Sequence, residues 1–146
     1  MPTRMCALVT GMVYLFFGIC GFIPAVVYLP PSRLGFYDMT IIGHWGFLFT
    51  LLPVNPVHNV IYILIGAGGV LSAPFVGIAT LFCRAVFIVT LLFALVGLLP
   101  LGASYVWGLL PLYSWNVMFH VVTAILCYYY SFIYPLDLGG QELLPT

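Results

Sequence analysis

His58, Tyr62, Asn116 and His120 are the side chains whose types and spacing could do chemistry in this chain. Within each half the two residues are four positions apart, a spacing that stacks them on one face of a helix. Aligned by the Leu-Leu-Pro that precedes each pair, His58 matches Asn116 and Tyr62 matches His120. Helical rise places His120 about 6 Å deeper than Asn116. Two imidazoles and a phenol converging on one pocket in an apolar medium could ligate a haem or a chlorophyll-type pigment, or relay a proton. The same groups could instead hydrogen-bond across a helix pair and lock it together, a role that needs no ligand.

The alignment behind this pairing is an internal repeat. Leu51-Leu52-Pro53-Val54-Asn55-Pro56-Val57-His58 and Leu109-Leu110-Pro111-Leu112-Tyr113-Ser114-Trp115-Asn116 each open a long apolar run, and Pro53 and Pro111 lie 111 − 53 = 58 positions apart. The chain reads as a duplicated pair of helices. Asn55, before Pro56, and Ser114, two residues before Asn116, are expected to be N-caps. First-turn amides have no helical partner, and in lipid such an orphan is costly.

Lipid is the solvent the composition implies. Charged residues are 4% of 146 positions and hydrophobic residues 64%, which leaves too few polar side chains to coat a water-soluble globule. Arg4, Arg33 and Arg84 face Asp38, Asp137 and Glu142, for a formal net charge of +0. Nucleic acid is excluded as a partner on this ground, because neutralising phosphates takes clustered cations. The expected partners are the lipid bilayer and other membrane helices, including those of a second copy.

A membrane-spanning helix takes roughly 20 apolar residues, and stretches at about 5–28, 56–73, 76–99 and 114–134 reach or approach that length. The first is too long for a signal-peptide core and no small-x-small cleavage site follows it, so it is read as a helix of the mature protein. Pro74 leaves only a tight turn between the second and third helices, which makes them antiparallel neighbours. Between the first and second, the piece from Ile41 to Phe49 is glycine-punctuated and too short to span, and it is expected to be interfacial or re-entrant. His44, beside Trp45, is read as an interfacial histidine. The segment 135–146 is a short acidic tail.

The predicted fold is therefore all-α: one membrane domain over 1–146, a four-helix bundle built from two parallel helix-pair repeats with that extra segment between helices one and two. An even helix count per half starts helices two and four on the same face, and Arg4 and Arg84 against Arg33 place both termini in the cytoplasm. Ala7, Gly11 and Gly18 on helix one, and Gly66, Gly68 and Gly69 on helix two, predict close backbone approach. Arg84 is expected to snorkel to the headgroups or to pair with Asp137 or Glu142.

Cys6, Cys20, Cys83 and Cys127 all fall in apolar stretches with no C-x-x-C spacing, so they are read as small core residues and no metal site is expected. No nucleophile, base and oxyanion set appears, nor paired carboxylates, nor a phosphate-binding glycine loop. The chain is expected to be no enzyme and to hold no resident cofactor, with haem or chlorophyll on His58 and His120 as the alternative.

The stretch Leu51-Leu52-Pro53-Val54-Asn55-Pro56-Val57-His58-Asn59 resembles the LFPVNxxHN segment that marks a bacterial domain-of-unknown-function family, numbered 4383, of small four-helix membrane proteins. Leu81-Phe82-Cys83-Arg84 is similar to that family's Leu-Phe-Ala-Arg before the third helix, and Leu109-Leu110-Pro111-Leu112 to the segment before the fourth. Tyr62 stands where the family often has a second histidine, and Tyr113 where it often has asparagine. The resemblance implies the four-helix fold and a bacterial membrane location, and brings no known activity; the expected location is a bacterial inner membrane or a thylakoid membrane. A structural or accessory subunit of a membrane complex is the expected role. A haem- or pigment-binding protein of a respiratory or photosynthetic complex is the rival, followed by a small transporter or proton path.

Overall fold

The computed structural model describes residues 2–28, 46–100 and 109–134. The expectations for Arg33, Asp38, His44, Trp45 and the acidic tail lie outside the described residues. In chain order the elements are α1 (Pro2–Cys20), a 3-10 turn (Pro24–Val26), β1 (Val27–Tyr28), β2 (Gly46–Leu48), β3 (Leu52–Val54), α2 (Pro56–Ser72), α3 (Val76–Gly97) and α4 (Trp115–Tyr128). A π-helical turn, Tyr129–Ile133, continues α4.

Three spans, Pro2–Cys20, Val76–Gly97 and Trp115–Ile133, are long and apolar enough to cross a membrane. At 17 residues α2 is shorter, because Asn55-Pro56 opens it and Pro74 stops it. Phe75 N–H bonds Ser72 O at 3.1 Å, closing the tight turn into α3.

Side-chain bonds fix the helix directions. Thr3 Oγ1 donates to Tyr130 O and Arg4 Nε to Ala73 O, so α1 begins beside the ends of α2 and α4. Arg84 donates to Ser131 O, which sets the start of α3 there too. At the other end Asn55 Nδ2 reaches Leu109 O and Asn116 Nδ2 reaches Pro53 O, so α2 and α4 begin side by side. The helices alternate up, down, up, down.

Two sequence expectations change. Helix one ends at Cys20 rather than running to 28: Ile23 N–H turns back to Cys20 O at 2.9 Å, and Pro24 has no N–H with which to continue the ladder. The molecule is mostly helical, with four helices, but it also carries a small sheet. The described part of the segment expected to be interfacial or re-entrant supplies β2, the middle strand of a three-stranded antiparallel sheet in the order β1-β2-β3, with Gly46 opposite Val54 and Leu48 opposite Leu52. Its hairpin turns on Phe49 (φ 50°) and Thr50 (φ 64°), the paired left-handed residues of a type I′ geometry. Leu48, Leu52 and Val54 bury their side chains against Phe17, Cys20 and Phe119, which seats the sheet across the ends of α1 and α4.

The bundle packs as expected of helices in lipid, with small and polar residues inside and large apolar ones outside. The buried stripe of α1 is Thr3, Cys6, Ala7, Thr10, Gly11, Tyr14 and Gly18, while Met5, Met12 and Phe16 face out. A Cβ built on Gly11 would lie 2.7 Å from Val70 N, and one on Gly69 2.6 Å from Gly11 Cα. The backbones of α1 and α2 touch, and nothing larger than glycine fits. Gly68 is different, facing the Phe82 ring at 3.4 Å without obstruction.

Candidate functional site

The site forms where α2 and α4 begin. Asn55 is an N-cap, its Oδ1 accepting from His58 N–H at 2.7 Å while its Nδ2 donates across the bundle to Leu109 O at 2.7 Å. Ser114 occupies the corresponding place but makes no side-chain cap bond. It sits exposed at φ 57°, a left-handed backbone that supplies the turn into α4 without the hydroxyl. The expected cap role therefore fails at Ser114 and holds at Asn55.

Asn116 takes over as the fastening of the second half. Its Nδ2 donates to Pro53 O at 2.6 Å and to Pro111 O at 3.0 Å, and its Oδ1 accepts from Tyr62 OH at 3.3 Å. The carbonyls of the two prolines matched in the sequence thus share one amide. Proline has no N–H to enter a ladder, and each of these prolines lies in the segment leading into its helix. The first segment is β3, whereas the second bends through successive i+2 bonds, Leu112 N–H to Leu110 O and Tyr113 N–H to Pro111 O.

One turn deeper the four residues predicted to converge do so. His58, Tyr62, Asn116 and His120 are each 0% exposed. The two imidazoles lie nearly parallel, their centroids 5.8 Å apart and planes 18° apart, and the Tyr62 ring meets His58 edge-on at 4.3 Å. Phe93 closes the far side of His120 at 5.2 Å.

Tyr14, on the buried face of α1, completes the cluster and was missed from the sequence. Its OH donates to Thr123 Oγ1 at 3.3 Å and lies 3.5 Å from His120 Nδ1, and Thr123 in turn donates to Phe119 O. With its proton committed to Thr123, the phenol oxygen is left to accept, which assigns the Nδ1–H tautomer to His120 and a lone pair to its Nε2. Among the described residues no hydrogen bond reaches that Nε2, nor either ring nitrogen of His58. The signal for Tyr14 was weak: one tyrosine in an apolar run, with nothing in its spacing to point at α4.

Haem or chlorin ligation does not fit this packing. A macrocycle needs an open slot beside the ligating nitrogen, whereas both imidazoles are without exposure and Tyr62 and Phe93 press on them. Even a water finds no space against rings of 0% exposure.

Arg84 departs from the expected snorkelling. It folds back onto α4, donating through Nε and Nη2 to Ser131 O at 3.3 and 3.2 Å, with its guanidinium 4.8 Å from the Phe132 centroid. That carbonyl lies in the π turn and takes a cationic donor.

Three of the cysteines are core residues, as expected, packed with Ala7, Ala79 and Val86, but they also meet one another. Cys6 from α1, Cys83 from α3 and Cys127 from α4 bring their sulfurs within 4.8 Å of one another. Their sequence separations are long, so no spacing motif could have announced them.

An alternating four-helix bundle with polar fastenings inside and an apolar exterior defines a small multi-helix membrane protein. The chain belongs to the family described as Domain of unknown function (DUF4383), whose family model matches residues 4–133. No curated protein and no solved structure matches the chain.

Proposed function

We propose that this chain is a non-catalytic structural or accessory subunit of a membrane complex, in a bacterial inner membrane or a thylakoid membrane. The observation that carries the reading is how the polar groups are used. Asn55, Asn116, Tyr62 and Tyr14 spend their hydrogen-bonding capacity on binding the first half of the chain to the second, while the outward faces carry large apolar side chains such as Leu64, Leu81, Leu92 and Ile125. Such faces suit lipid and other transmembrane helices. A photo-crosslinking residue at Leu81 or Ile125 in native membranes should capture one defined membrane chain or a second copy. Capture of lipid alone at both positions counts against the subunit role.

The architecture supports a duplication, with Pro53 matched to Pro111. Their carbonyls meet on Asn116 Nδ2 and their helices start side by side. An experimental structure in which the α1–α2 pair failed to superpose on the α3–α4 pair would reject it. Both termini are proposed to be cytoplasmic, because Arg4 and Arg84 lie at the same end of the bundle. Reporter fusions at Met1 and Thr146 test this, and both reporting outside would reverse the orientation.

One observation favours a second reading, a proton path: the unpartnered nitrogens of His58 and the free lone pair on His120. Buried polar atoms without partners are costly and call for an explanation, and two stacked imidazoles are competent to exchange a proton. Reconstituted vesicles carrying an internal pH dye test it. A proton leak that disappears in His58→Ala would favour this reading over the subunit role.

A further inference from the structure

We infer that Cys6, Cys83 and Cys127 form a three-sulfur binding site for one monovalent copper ion, built between α1, α3 and α4. Each residue offers a single soft ligand atom, and all three sulfurs lie within 4.8 Å of one another. Cys83 and Cys127 are 0% exposed and Cys6 8%. All three are free thiols.

Softness and number select the ion. Thiolates prefer copper(I), zinc and iron–sulfur clusters to harder cations. A closed structural zinc site takes four protein ligands, and among the described residues no histidine, aspartate, glutamate or fourth cysteine joins these three. A three-sulfur set is complete for copper(I) and one ligand short for zinc.

Position and charge agree. Cys6 lies four residues into α1 and Cys83 seven into α3, about 6 and about 10 Å of helical rise from those starts, so the site is in the half of the bundle where α1 and α3 begin. A surface groove of about 240 Å³ opens onto Cys6 and is also lined by Met5, Thr10 and Tyr130. Ligation breaks the S–H bonds, releases their protons to the aqueous side and leaves excess negative charge on the copper–sulfur centre. The two described arginines are both at this end: Arg84 follows Cys83 directly, and Arg4 precedes Cys6 by one turn or less. The π turn adjoins the site, Ser131 Oγ donating to Cys127 O at 2.6 Å. Such turns inside helices often accompany functional sites.

The test titrates the purified full chain in detergent, under anaerobic reducing conditions, with copper(I) against a competing bathocuproine chelator. One copper per chain should be retained, with ultraviolet thiolate-to-copper absorption and a sulfur-only copper coordination shell by X-ray absorption. Cys83→Ala and Cys127→Ala should each weaken retention by more than the roughly tenfold that loss of a supporting group costs. Cys20→Ala, whose half-buried thiol packs near β2 and β3 instead, should leave it unchanged.

A second readout needs no variant. Copper(I) should protect three thiols of the unaltered protein from alkylation and leave Cys20 reactive, as read by peptide mass spectrometry. Failure to compete with the chelator, equal retention by the Cys83 and Cys127 variants, or protection that does not separate Cys20 from the others would each overturn the site. Preferential retention of zinc(II) would overturn the choice of ion.

Discussion

Two buried polar clusters occupy opposite ends of this bundle, and they are built on opposite principles. Where α2 and α4 begin, Asn55 and Asn116 hold strong donors against backbone carbonyls of the other half, with bonds of 2.7 and 2.6 Å. In the half of the bundle where α1 and α3 begin, Cys6, Cys83 and Cys127 meet one another among apolar neighbours such as Ala7, Ala79 and Val86. A buried amide must find partners, because lipid offers no water to replace them, so asparagines placed there become fastenings. A thiol is a weak donor that packs like a small apolar group. Three of them can gather with little penalty and keep their lone pairs available for a ligand. One end of the molecule is committed to cohesion and the other is chemically open.

Removing a partner from the cohesive end should have the largest effect. Asn116→Ala deletes the bonds to Pro53 O and Pro111 O and strands Tyr62 OH, a loss of about 3 kcal/mol on the scale of unsatisfied buried groups. Reversible unfolding in mixed micelles would measure it. A loss under 1 kcal/mol would break the distinction between the two ends.

The two caps come next. Asn55→Ala removes a cap and a cross-bundle bond, for about 2 kcal/mol, whereas Ser114→Ala removes no side-chain bond and should fall within the roughly 0.5 kcal/mol of ordinary surface changes. Equal effects from the two would contradict the geometry.

His120→Ala should cost roughly 0.6 to 2 kcal/mol, the range of membrane side-chain bonds, with no change in visible absorption. A Soret or chlorin band that copurifies with the unaltered protein and vanishes in the variant would restore the cofactor reading that packing argues against.

The smallest stability change belongs to the open end. Cys83→Ala in metal-free protein should shift stability by less than about 1 kcal/mol, since it shortens a small apolar side chain and deletes no strong hydrogen bond. A loss as large as that of Asn116→Ala would make the thiols structural too.

Composition alone determined that the chain lives in lipid, because so few charged side chains cannot coat a water-facing surface. Proline and asparagine placement determined where α2 begins and ends, since a missing N–H and a cap act within a few residues of themselves. Four-residue spacing and the repeated Leu-Leu-Pro put His58, Tyr62, Asn116 and His120 on shared faces, and those four do meet. All of these are local or repeating signals. Only the tertiary structure decided what depends on distant segments touching: the sheet at β1 to β3 that replaces the lower part of helix one, Tyr14 reaching Thr123 and His120, Arg84 turning back onto Ser131, and three cysteines from three helices meeting in one cluster. An apolar helix of this kind can bury many of its faces at similar cost, because lipid and protein interior are nearly equivalent to it. Which face turns inward, and so which thiols become neighbours, is settled by the packing of glycine against backbone between α1 and α2, and by the asparagine bonds that set α4 beside them.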